Sequence, residues 1–290
     1  ALTQDSELRT QDDSPQALGL KPQALSNAES WLAGDPNTIA ISQVGRSPTV
    51  TRVRLMYSKV DEARFLGAKE VSHLFARAVR RARLPIAYSQ GFHPLPRISF
   101  GPALPMGIES EEEFVDLELS AQIEAAEVGS RLDAEFPRGF HVQQAQTIDL
   151  RTTSIDADIR AFRYLATLGS LPTEKRTIAF LAAQLNAYHA ADAFPLRKHS
   201  RGGEKIVDAK QFVASVTLST PLTLTLELRM TEAGTIKPHE FIGALLALTT
   251  EEAKILHLKK IQTLFHSATL PTDVTEQDEG ATMPLISAAT

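Results

Sequence analysis

Apolar and polar residues alternate along Arg52–Tyr57, with Val53, Leu55 and Tyr57 on one side and Arg52, Arg54 and Met56 on the other. Period-two alternation predicts a strand with one buried face. The period then lengthens: Val71, Leu74, Phe75, Ala78 and Ala82 recur at helical spacing and predict a helix over Lys69–Arg83. It ends at Leu84-Pro85, because the residue before a proline avoids the α region. A loop through Gly91, Pro94 and Pro96 leads to a strand at Arg97–Ala103, a turn at Pro105–Gly107 and a strand at Glu113–Leu119. Ala125, Val128, Leu132 and Phe136 predict a second helix, stopped by Pro137-Arg138-Gly139, and a last strand covers Phe140–Ile148.

The same order returns further on. A strand at Phe162–Thr167 precedes a helix with the stripe Ile178, Leu181, Ala182 and Leu185, for which Thr173 is the predicted cap. Strands follow at Ala209–Leu218 and Leu222–Met230. In the second of these, Leu222, Leu224, Leu226 and Leu228 alternate with Thr223, Thr225, Glu227 and Arg229. A helix opens with Pro238, a residue at home in the first helical turn, and runs to Leu248; a strand at Lys254–Phe265 closes the series. Each half thus reads βαββαβ. The expected fold class is α+β, with two tandem ferredoxin-like units at residues 51–150 and 151–266. Residues 1–50, rich in Ser, Asp, Gln and Asn, read as a flexible leader or linker with a short helix near Ala24–Leu32. Residues 267–290 read as an acidic, disordered tail.

Charge changes this picture in one place. Arg52–Arg97 holds ten Lys or Arg against three Asp or Glu, so it carries +7 while the rest of the chain, at −5 overall, carries −12. Such a block suits an anionic partner. The 290 residues contain no cysteine, which excludes disulfides, thiol nucleophiles and cysteine-held zinc or iron–sulfur clusters. No apolar run reaches the ~20 residues of a membrane-spanning helix, and no signal segment appears, so a cytoplasmic location is expected.

Four stretches hold candidate chemistry. On the first helix His73, Arg77, Arg80 and Arg81 share one side, with Arg97 following; guanidinium forks suit phosphate, although a solvated basic helix face reads the same way. The loop Tyr88-Ser89-Gln90-Gly91-Phe92-His93-Pro94 packs aromatics, a hydroxyl and an imidazole onto a stiff turn. It reads either as a binding loop or as a plain strand connection. In Gly107-Ile108-Glu109-Ser110-Glu111-Glu112-Glu113 the acids could bind a metal, act as a base or clamp an arginine, but the run does not match a calcium loop and a charged hairpin turn is the simpler expectation. Asp116 and Glu118 are expected to pair across strands with Arg52 and Arg54. Arg197–Lys205 reads as a basic, exposed loop. Neither a phosphate loop, a dinucleotide fingerprint nor metal-ligand spacing of histidines occurs.

The ordered motifs Arg80-Arg81-Ala82, Leu84-Pro85, Tyr88 to Pro94, and Leu104 to Ser110 with Glu113 together resemble the signature of the radical SAM-linked protein family. Many members of that family carry Phe-Leu-Ser-His-Leu-Asp before the first helix; here the residues are Phe65-Leu66-Gly67-Ala68-Lys69-Glu70, and the Ser-His is missing. The resemblance implies a partner, separate or fused, that holds the iron–sulfur cluster, S-adenosylmethionine and cobalamin, none of them bound by this chain. Three functions follow. One is a non-catalytic module gripping RNA or another phosphate-bearing substrate through Arg77, Arg80, Arg81 and Arg97, its contact point shaped by Tyr88, Ser89, Gly91, Phe92, His93, Pro94, Gly107, Glu109, Ser110 and Glu113. A second is an RNA-processing enzyme with His93, Glu113 and Ser89 as acid–base candidates. The third is a protein-interaction adaptor for the radical SAM partner.

Overall fold

The computed structural model describes residues 48–90, 93–200, 203–220 and 222–267. The expected leader up to residue 47, with its helix at Ala24–Leu32, and the tail from residue 268 onward lie outside the described residues. The described chain is a mixed α+β fold with a mostly antiparallel sheet.

Strand β1 (Thr51–Lys59) buries Val53, Leu55 and Tyr57 on one face, as its alternation requires. That face meets helix α1 (Ala68–Arg81), which buries Val71, Leu74, Phe75, Ala78 and Val79; the Phe75 ring stands edge-on to Tyr57 at 4.9 Å. The helix ends in a left-handed turn at Arg83 (φ 50°). Leu84 N donates to Val79 O, and Arg83 N donates to Arg80 O. Its last carbonyls are also met by a cation: Arg131, from helix α2 (Ala125–Asp133), donates to Ala82 O at 2.6 Å and to Arg83 O at 3.0 Å. A guanidinium there complements the negative end of the helix dipole. Strands β2 (Ile98–Phe100), β3 (Glu109–Leu119) and β4 (Phe140–Ile148) complete the first half, β1 lying between β4 and β3 and β2 pairing with β3. β4 is entered through Gly139 at φ +87°, where a Cβ would come within 2.5 Å of Val60 O, so only glycine fits without displacing backbone.

The second half starts with the short helix α3 (Ile155–Asp158) and β5 (Ile159–Thr167). After helix α4 (Ile178–Ala190) a hairpin, β6 (Pro195–Ser200) with β7 (Gly203–Asp208), stands apart from the main sheet. It replaces the loop expected at Arg197–Lys205; its strands lack apolar alternation, so nothing in their periodicity marked them. Strands β8 (Val213–Thr220) and β9 (Thr223–Arg229), helices α5 (Pro238–Leu245) and α6 (Thr250–Lys254), and β10 (His257–Phe265) follow. The main sheet runs β4-β1-β3-β10-β5-β9-β8, and β3 and β10 join the halves as a parallel pair, Lys259 opposite Glu109 and Lys260 opposite Ser110.

Several boundaries move from their expected places, three of them for reasons visible in the contacts. β3 begins at Glu109, not Glu113, so the acidic run is strand and not turn: each of its acids has a partner that holds it in the sheet. α6 occupies the start of the expected last strand, its Thr249 and Glu252 forming a reciprocal capping box. The cap of α4 is Thr177, whose Oγ1 accepts from Phe180 N at 3.2 Å, while Thr173 opens a separate 3-10 turn. Thr177→Ala should therefore cost about 1 kcal/mol in urea unfolding. Thr173→Ala should stay within about 0.5 kcal/mol.

Candidate functional site

The basic residues of α1, together with Arg97, divide into two groups. Arg81 Nε donates to Glu135 Oε2 at 2.7 Å and Nη2 to the Glu135 carbonyl. Arg97 Nη1 donates to Glu118 Oε2 at 2.8 Å. Burial alone would raise the Glu118 carboxyl, but hydrogen bonds from Thr49 and Arg97 outweigh it and hold that group below the usual carboxylate range. Lys69, His73, Arg77 and Arg80 form the second group. All four are exposed along α1 and have no hydrogen-bond or ion-pair partner among the described residues. A helix turns once per 3.6 residues, so positions four, eight and eleven beyond Lys69 share its side. Of the four arginines expected at phosphate, Arg77 and Arg80 are thus unengaged, and Arg81 and Arg97 already hold carboxylates.

The loop Tyr88–Leu95 belongs to a compact unit distinct from the one that contains the sheet. Within it Ser89 N donates to Leu95 O at 2.8 Å, and Ser89 Oγ accepts from Leu95 N at 2.9 Å, so the serine hydroxyl clips the loop shut. His93 is exposed; Gly91 and Phe92 lie outside the described residues.

The acidic run on β3 faces the cations of β10. Glu109 receives Arg64 at 3.3 Å and His257 at 3.3 Å, Glu111 receives Lys259 at 3.0 Å, and Glu113 Oε1 lies 2.6 Å from Lys260 Nζ. Glu112 Oε2 accepts from Thr263 N at 2.7 Å; burial nevertheless keeps its carboxyl above the ordinary value. Ser110 is fully buried between them, and Gly107 turns the chain into β3 at φ +85°. Arg97 pairs with Glu118 and not with Glu113, so Arg97 and Glu113 do not form one site.

Two cavities adjoin the Glu113–Lys260 pair and share the wall Pro102–Leu104. One, of about 170 Å³, is bounded by Tyr164, Phe162 and Lys260; the other, of about 100 Å³, by Tyr57, Lys59, Phe100 and Glu113. Lys59 is only 3% exposed and donates one N–H to Leu66 O at 2.6 Å. Burial lowers its pKa, against the opposing pull of the Glu113 and Glu70 carboxylates. The Tyr57 hydroxyl is raised well above its ordinary value, first by burial and then by Glu113, and Tyr164 is raised by the same two causes. Lys260 also sits over the Phe162 ring at 5.0 Å. Tyr57, Lys59, Tyr164 and Lys260 are not among the candidate site residues that the sequence pattern suggests. The available signal was Lys59 itself, a charge at the position where the Val53, Leu55, Tyr57 alternation calls for another core residue.

Among the described residues no three His, Asp or Glu side chains gather as a metal-holding group, and no helix is long and apolar enough to cross a membrane. The chain belongs to a family described as an uncharacterized protein conserved in bacteria (DUF2344), whose model matches residues 52–263. No curated protein matches the sequence.

Proposed function

We propose that this family member is a non-catalytic substrate-binding module that serves a radical SAM enzyme and grips RNA, or another phosphate-bearing substrate, through the exposed face of α1. The observation that carries this reading is the line Lys69, His73, Arg77 and Arg80. These groups lack acidic partners among the described residues, whereas the neighbouring Arg81 and Arg97 each have one. Cations that spend nothing on internal pairs can neutralise phosphates and release counterions at no cost to the fold. The radical SAM link rests on the motif resemblance from Arg80 to Glu113, and a chain without cysteine leaves the cluster to a cytoplasmic partner or fused domain.

The platform we propose is two ferredoxin-like units. In the first half the strands lie β4-β1-β3-β2 and in the second β10-β5-β9-β8, the same fourth-first-third-second order of pairing when the hairpin β6–β7 is left aside. That repetition supports the duplicated βαββαβ reading.

Binding of the purified chain to bulk cellular RNA across a salt series tests the reading. Wild type should show a steep salt dependence. Arg77→Ala/Arg80→Ala should flatten the slope of log K against log salt by about two. Equal slopes for the two proteins, or no RNA binding at low salt, would overturn it. In that case capture of the radical SAM protein by the same chain would select the adaptor role instead.

A further inference from the structure

Lys59 and Glu113 line the same small chamber, and their charges are opposite. Each is more than nine-tenths buried, and each has hydrogen-bonding capacity that the protein leaves unspent. Lys59 uses one N–H on Leu66 O and has two more; Glu113 Oε1 lies 2.6 Å from Lys260 Nζ as an ion pair but accepts no hydrogen bond, and Oε2 has no donor among the described residues. The Tyr57 hydroxyl adds a group that can donate or accept, and it too has no partner among the described residues. The remaining wall is apolar: Val71, Phe100 and Leu104. Ala68, in the first turn of α1, also borders the chamber, and the free N–H groups of that turn place partial positive charge on the Lys59 side.

We propose that this chamber is a binding site for a small zwitterion, namely a free α-amino acid with a short side chain. Its carboxylate would meet Lys59 and the start of α1, and its ammonium would meet Glu113 Oε2. A buried charge is stabilised only when it is paired and hydrogen-bonded, so a ligand bearing one charge serves one wall and leaves the other unanswered. A ligand with both charges answers both and adds no net charge to the interior. A volume of about 100 Å³ accommodates an amino acid with a short side chain. The site is separate from the phosphate contacts proposed on α1 and stands or falls independently of them.

Calorimetric titration of the full chain with glycine, L-alanine, acetate and methylammonium tests the proposal on wild-type protein, where no substitution can disturb folding. Glycine or alanine should bind about tenfold or more tighter than either half-ion. Glu113→Gln and Lys59→Met, checked for intact melting transitions, should each lose about that factor. Arg77→Ala/Arg80→Ala should bind glycine as wild type does. Acetate or methylammonium binding as tightly as glycine would overturn the proposal, as would the absence of any binding at millimolar ligand.

Discussion

Asp116→Ala should destabilise the protein by about 3–5 kcal/mol. Asp116 sits directly across from Arg54 in the β1–β3 register and is 1% exposed. Its Oδ1 accepts from Arg54 Nε at 2.7 Å, and its Oδ2 accepts from Arg52 Nη2 at 2.6 Å and from Arg54 Nη2 at 2.9 Å. Removing that carboxylate strands Arg54, itself 2% exposed, with the Thr153 carbonyl at 3.1 Å as its remaining partner. Arg52 would keep Thr152 O at 2.7 Å. The cost is the penalty of an unpaired buried guanidinium, not the worth of the ion pair, and the two are separable. Arg54→Met/Asp116→Leu replaces the pair with apolar volume and should recover most of the loss. Urea unfolding of the two variants with unchanged m-values is the comparison to make; a loss below about 1 kcal/mol for Asp116→Ala would contradict the buried network. The network also ties residues 152 and 153, which lead into α3 and β5, onto the first half.

The Asp116 part of the expected cross-strand pairing was legible in the sequence, because alternation places Arg52, Arg54 and Asp116 on one face of adjacent strands; Glu118, expected on the same arginines, pairs with Arg97 instead. The same logic recovered β1, α1 and β9, whose periods of two or 3.6 are uninterrupted. It failed where periodicity is silent. Glu109–Glu113 contains a single serine among four acids, so no apolar face announces a strand, and the partners that make it one, Lys259, Lys260 and Thr263, lie about 150 residues further along the chain. The chamber around Lys59 was hidden for the same reason: it is assembled from β1, α1, the segment after β2 and β3, and no local spacing encodes that meeting. The exposed cations of α1 were visible as a stripe. Which of them acids already occupy was not, since Glu135 and Glu118 reach Arg81 and Arg97 only through the fold.

Phe75→Ala should cost about 3–5 kcal/mol, the range for truncating a buried phenylalanine. The ring is fully buried and is flanked edge-on by Tyr57 at 4.9 Å, Phe136 at 4.8 Å and Phe100 at 5.1 Å, so it joins α1 to β1, β2 and the segment after α2. Alanine leaves a cavity among three rings that are anchored on separate elements and cannot collapse together, which favours the upper part of that range. Phe75→Leu keeps more of the volume and should lose substantially less. The comparison with the basic face is decisive for how α1 works. Arg77→Ala/Arg80→Ala lies on the exposed side of the same helix and should alter stability by about 0.5 kcal/mol or less while weakening phosphate affinity. Phe75→Ala, assayed where it remains folded, should weaken the fold yet keep the steep salt dependence of RNA binding, because the cations it carries are unchanged. Loss of the salt dependence in folded Phe75→Ala would mean that phosphate recognition depends on the exact seating of α1, and a stability loss in the double arginine variant as large as that of Phe75→Ala would mean that those arginines serve the fold and not a ligand.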